Sequence, residues 1–157
     1  MRPILLLSSR PLVVDDMIKV TSEKFSIDEI VGSIRSGGIG AIVTFVGTVR
    51  DNSKGREVDR IEIQVYKDMA IKQLQAIREE AIAKYRIEEV AIVHRYGRLN
   101  VSNNIMMIAV GAGHRPEAFE ACRYILEAIK EKVPLWKKEV TSEGDYWIEG
   151  KEYEQTE

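Results

Sequence analysis

The sequence is poor in the residues that usually announce chemistry. Its single cysteine, Cys122, excludes an internal disulfide and fits a chain that works in a reducing, cytoplasmic compartment. Two histidines, His94 and His114, are too few to build a zinc cluster with that one cysteine, so no metal is expected. A basic surplus is missing too, because 23 Lys and Arg face 25 Asp and Glu for a net charge of -2. General nucleic-acid binders carry a clear positive excess, so any anion site here is local. The apolar run near the start is too short to span a bilayer, and Pro3, Pro11 and Asp15-Asp16 argue against a secretory signal. The glycine spacing matches neither a P-loop nor a dinucleotide fingerprint. There is no Ser-His-Asp arrangement, no obvious carboxylate pair, no repeat and no low-complexity linker.

What is present is enough for one domain with a core: 157 residues, 45% hydrophobic and 31% charged. We divide it into an N-terminal arm or edge strand (1–18), a single catalytic domain (19–150) and a tail (151–157), with Met17 as an alternative start. Ser26 and Glu29 form a capping box, with Phe25 and Ile30 as its staple, ahead of a helix that stops at Gly37-Gly38. GAIVTFVGTVR (40–50) reads as a strand, followed by a turn over 51–55 and a partner strand over 58–66. Asp68 is placed to cap a helix whose Ala70, Leu74, Ile77 and Ala81 recur at helical spacing. Strands are expected over 89–96 and 105–110, then a helix from Arg115 to about Lys132, then short polar segments and a strand near Trp147. This order predicts an α+β fold, with helices packed on a largely antiparallel sheet.

The cations cluster at element ends. In the last helix, Phe119, Cys122, Leu126, Ile129 and Val133 form an apolar stripe. At 100° per residue, Lys130 lies about 60° from its centre, at the border of core and solvent, while Glu131 points away. Lys130 either snorkels or serves a pocket. Pro134 ends the helix, and Trp136 is large enough to anchor the next turn in the core. Lys137 and Lys138 point to opposite sides of an extended chain, so only one can join Lys130. In GAGHRPEAF (111–119), His114 and Arg115 sit just before the helix, where free backbone N–H groups and an arginine fork favour an anion; ordinary capping is the plainer alternative. Arg50 closes the FVGTVRD strand, as an anion group or as a partner of Asp51 or a nearby Glu. Cys122 lies in the apolar stripe and reads as core, and His94, inside a strand, reads as structural.

FVGTVRD, VAIVHRYGRL, HRPEAFEACRYILEAIKEKVPLWKKE and EGDYW, in this order and spacing, resemble the large, catalytic subunit of molybdopterin synthase, the MoaE family. The likeness runs from about Lys19 to Glu149. It implies an α/β hammerhead fold and a homodimer flanked by two small ubiquitin-like sulfur carriers, each ending in a Gly-Gly thiocarboxylate. It implies sulfurtransferase activity, converting cyclic pyranopterin monophosphate to molybdopterin in molybdenum cofactor biosynthesis, with no cofactor of its own. By resemblance Lys130 and Lys137 are catalytic. Thr48, Val49, Arg50, His114, Arg115, Lys138 and Glu139 bind substrate, His114 and Arg115 reaching the neighbouring subunit's pocket. Gln64 stands where many relatives have Glu, and Lys151 where some have Arg. The competing reading is a non-catalytic module that binds a phosphorylated small ligand.

Overall fold

The computed structural model describes residues 17–148. The arm up to residue 16 and the tail 151–157, with Lys151, lie outside the described residues. The chain builds two four-stranded sheets. The first runs in the order β1 (Ile18–Thr21), β6 (Glu89–Arg95), β8 (Asn104–Ala112), β2 (Ala41–Thr48). Its ladders are antiparallel except for β1 against β6. The second runs β10 (Gly144–Ile148), β9 (Leu135–Thr141), β5 (Arg60–Val65), β7 (Gly97–Asn100), antiparallel throughout. A small hairpin, β3 (Asn52–Ser53) and β4 (Arg56–Glu57), turns through Lys54 and Gly55 at φ 50° and 78°. Two residues in that left-handed region make a hairpin turn whose twist matches its strands.

Three helices complete the described residues: α1 (Ile27–Ile34), α2 (Lys67–Lys84) and α3 (Arg115–Lys132). The α1 cap forms as the capping pattern predicts, with Glu29 N–H donating to Ser26 Oγ at 3.2 Å. α2 buries Ala70, Leu74, Ile77 and Ala81. Full burial of a leucine or isoleucine side chain contributes about 1.5 to 3 kcal/mol, so this face accounts for much of how α2 is held. α2 and α3 pack on one face of the first sheet with the main core between them. On the other face α1 covers a smaller cluster of Met17, Ile34, Ala91, Met107 and Ala109. β6 and β8 are covered on both sides, which is why they read as near-continuous apolar runs.

Four local expectations are corrected. Asp68 does not cap α2; the cap position is Tyr66, without a side-chain bond, and Asp68 sits in the first turn. The buried face of α3 is Ala118, Ala121, Cys122, Ile125, Ala128 and Ile129, so small alanines do the packing and Phe119 is left 62% exposed. Trp136 does not anchor a turn in the core; it is 46% exposed on the outer face of the second sheet. The stretch after Pro134 is a seven-residue strand, β9, rather than short polar segments.

Candidate functional site

β9 explains how neighbouring lysines part company. Lys137 is paired in register with Ile63 and Ile148, Lys138 with Glu62 and Trp147. Side chains alternate across a strand. Lys137 therefore shares the inner face with the buried Ile61 and Ile63. Lys138 lies on the outer face, 3.3 Å from Glu62 and 3.7 Å from Asp145, with Nζ 5.5 Å from the Trp147 ring centroid. Arg60 also donates to Glu62, at 2.9 Å. The Arg60 hydrogen bond, then Lys138, hold the Glu62 carboxyl below its ordinary range.

Burial first, then the ammonium of Lys130, depress the pKa of Lys137. Lys130 itself is exposed in the last turn of α3. The structure thus brings Lys137 and Lys130 into electrostatic contact and turns Lys138 away from both. Glu139 shares the inner face with Lys137, is 5% exposed and accepts from Arg56 at 3.2 Å. Arg56 in turn lies 3.9 Å from the Tyr146 ring centroid. Glu139 thereby ties the β3–β4 hairpin to the strand that carries Lys137.

Sequence reasoning read His94 as structural and missed its neighbour. It is 2% exposed, its Nδ1 lies 2.9 Å from the Arg95 carbonyl, and burial, with a smaller contribution from the charge of Lys137, pushes its pKa down to about 4. A histidine inside an apolar strand carries no sequence signal for a lysine from another sheet. Cys122 is core, as expected, with burial pushing its thiol up to about 11. That is the opposite of an activated nucleophile.

Arg50 belongs to the same end of the molecule. Val49 is buried and locked to the β7–β8 turn, its N–H donating to Asn103 O at 3.0 Å and its carbonyl accepting from Ser102 at 2.8 Å. The ladder between β2 and β8 shifts register at Gly47/Thr48. Such a bulge re-aims the residues that follow, here exposed Thr48 and Arg50. Asp51 O accepts from Val58, and Asp59 N–H donates to Val140 O, which fixes this turn against the far end of β9.

His114 and Arg115 lie elsewhere. His114 occupies the N-cap of α3 with no side-chain capping bond, and Pro116 opens the helix. Both residues are exposed beside a hollow of about 760 Å³ lined also by Gly40, Val43 and Phe119. Gly40 is required there, because a Cβ would stand 2.6 Å from the Gly113 carbonyl. Two rulers measure how far this hollow is from the lysines. Along α3, Arg115 to Lys130 is about 22 Å at 1.5 Å per residue. Along β2, Ala41 to Thr48 is about 24 Å at 3.4 Å per residue. Within one chain Arg50 therefore lies far from His114 and Arg115; they occupy opposite ends of the same ladder.

Fold and site define an α+β protein with separate cationic patches at the two ends of a long strand ladder. The family model described as MoaE protein matches residues 20–132, and the chain belongs to that family. It is 45% identical over 128 residues to the molybdopterin synthase catalytic subunit of Pyrococcus abyssi, covering 82% of this chain and 86% of that one. The crystal structure of molybdopterin synthase from Staphylococcus aureus superposes with a TM-score of 0.80 at 35% identity, covering 83% of this chain and 95% of that chain. A complex of subunits 1 and 2 of molybdopterin-converting factor from Helicobacter pylori shares the fold, with a TM-score of 0.70 at 15% identity over 84% of this chain and 90% of that one. Among the described residues, no helix is long and apolar enough to cross a membrane.

Proposed function

We propose that this chain is a sulfurtransferase, the catalytic subunit of a molybdopterin synthase, acting in the cytoplasm as a homodimer with two small carrier subunits. It converts cyclic pyranopterin monophosphate to molybdopterin with sulfur from the carrier's C-terminal thiocarboxylate. The observation that carries the reading is the Lys137–Lys130 pair, one ammonium largely withdrawn from water beside a second. The reaction brings an anionic tail to a substrate phosphate, and two anions meet only where cations offset their repulsion. Lys130 supplies charge. Lys137, its pKa lowered by burial and by Lys130, is suited to move protons as sulfur enters the pterin.

Arg50, with Thr48 and Val49 beside it, and His114 and Arg115 hold the substrate phosphate. The arginine fork and the open N-terminus of α3 suit an anion. Since these groups lie at opposite ends of one chain, the site takes Arg50 and the lysines from one protomer and His114 and Arg115 from its partner. Lys138 and Glu139 support the site through Glu62, Asp145 and Arg56 rather than from the lysine pocket. Sulfur arrives on the carrier, so Cys122 has no part in the transfer.

The test is product formation from pterin precursor and thiocarboxylated carrier. Turnover that stops when the carrier tail is lengthened by one residue supports a Gly-Gly tail threaded to the lysines. Ligand binding without turnover would favour the non-catalytic module instead.

A further inference from the structure

Arg95 is a buried cation with too few partners. It closes β6 and is only 7% exposed. A guanidinium stays charged in a protein and carries five N–H donors. Here Nη1 donates to the Asn104 carbonyl at 3.2 Å and Nη2 to the Ser22 carbonyl at 3.1 Å, while Nε is buried without a partner. Arg56 and Arg78, which are also partly buried, each hold a carboxylate, Glu139 and Glu89. Among the described residues, no carboxylate pairs with Arg95. Buried charges are ordinarily paired, because an ion that has lost its water is costly to hold alone. Arg95 lines a hollow of about 180 Å³ together with Lys24, Phe25, Ser102, Asn103 and Asn104. None of these is acidic, and Lys24 is exposed with no ion pair among the described residues. Asn103 Oδ1 accepts from the Asn100 N–H at 3.0 Å, which leaves its amino group to donate.

We propose that this hollow binds a small dianionic oxyanion of the phosphate or sulfate type. Its double charge offsets both Arg95 and Lys24, and its oxygens accept from the guanidinium and the surrounding amide and hydroxyl donors. The volume is well below the roughly 300 Å³ at which pockets for organic ligands begin, so the pterin does not fit. The site is also separate from the lysines. Arg95 follows Ala91 and Val93 at the two-residue period of a strand, and Ala91 packs in the α1-side cluster with Phe25, which lines the hollow. His94, on the opposite face, is the residue that feels Lys137. The walls of the hollow reach the turn that holds Val49, since Ser102 N–H donates to the Val49 carbonyl and Val49 N–H to the Asn103 carbonyl. An anion here therefore braces that turn and, with it, the position of Arg50, whose role rests on the function proposed above.

The test is a titration of the full chain with sodium phosphate, against sodium chloride and sodium acetate at matched ionic strength, followed by backbone amide NMR and by Tm. The same titration of the Arg50→Ala/Arg115→Ala double variant removes the arginines assigned to the substrate phosphate. We expect the amides of Ser102, Asn103 and Asn104 to shift saturably with phosphate in both proteins. Tm should rise by about 4 °C at about ten times Kd. Asn104→Asp places a carboxylate at the hollow, so it should raise Tm in chloride alone and abolish the phosphate response of those amides. Arg95→Gln should abolish that response too, and Asn104→Asp decides the matter if Arg95→Gln does not fold. The proposal is overturned by the absence of a saturable shift at 102–104, or by an equal response to chloride or acetate. A phosphate response that survives Asn104→Asp, or one lost in the double variant, overturns it as well. Sulfur transfer is not read at any point, so the sulfurtransferase reading can fail while the anion site stands, and the reverse.

Discussion

Mixing two inactive variants separates a shared site from a site within one chain. Arg50→Ala and His114→Ala each remove one cation from opposite ends of β2. The ends are about 24 Å apart along the strand, and an extended arginine reaches only about 7 Å, so no rotamer closes the gap within a protomer. In a dimer with shared sites, a mixed pair carries one site missing both groups and one site missing neither. Random exchange makes half the dimers mixed, so the equimolar mixture should regain about one quarter of wild-type turnover, from two nearly silent parents. The assay is molybdopterin formation with saturating thiocarboxylated carrier, after brief mild denaturant to exchange subunits. Single variants carried through the same exchange give the background. Activity that stays at this background, with mixed dimers confirmed by mass spectrometry of tagged chains, would refute the shared site. The patches would then act separately, and the phosphate would bind at only one of them.

Other outcomes follow from the same geometry. Lys137→Ala and Lys130→Ala should each lose most sulfur transfer while the denaturation midpoint stays put, since neither removes a core side chain. Lys130 helps depress the pKa of Lys137, so Lys130→Gln should move the rising limb of the pH–rate profile to higher pH; an unmoved limb would separate the two lysines. His94 has a folded pKa of about 4 against an ordinary 6.5, so the folded state resists its protonation. Stability should fall as pH drops from 6.5 towards 4, by on the order of 3 kcal/mol from this group alone. His94→Gln should flatten that part of the urea-unfolding profile, and an unchanged slope would mean the imidazole is not so buried. Glu139→Ala leaves Arg56 without its carboxylate and should cost about 2 to 4 kcal/mol, less than a fully buried pair because Arg56 is partly wet; calorimetry of the single and double variants checks it.

The sequence alone decided several features that depend on local periodicity or on a cap, though not the cap of α2 or the buried face of α3. The α1 start at Ser26, the α2 face and the limits of α3 were legible because each rests on hydrogen bonds and spacings within a few residues. So was the parting of Lys137 from Lys138, which follows from strand alternation. Motif order carried the family. Where local signals misled, packing had overridden them. The alanines of α3 look weakly hydrophobic, yet they let the helix sit close on the sheet and leave Phe119 outside. β9 hides its strand character behind lysines because one of its faces is wet. Three things belonged to tertiary structure alone: the electrostatic influence of Lys137 on His94, the tie from Glu139 to Arg56, and the distance from Arg50 to His114. All join residues more than 40 positions apart, whose proximity is set by which strands neighbour which. A strand ladder about 24 Å long has two ends, and only the folded sheet shows which cations stand at each.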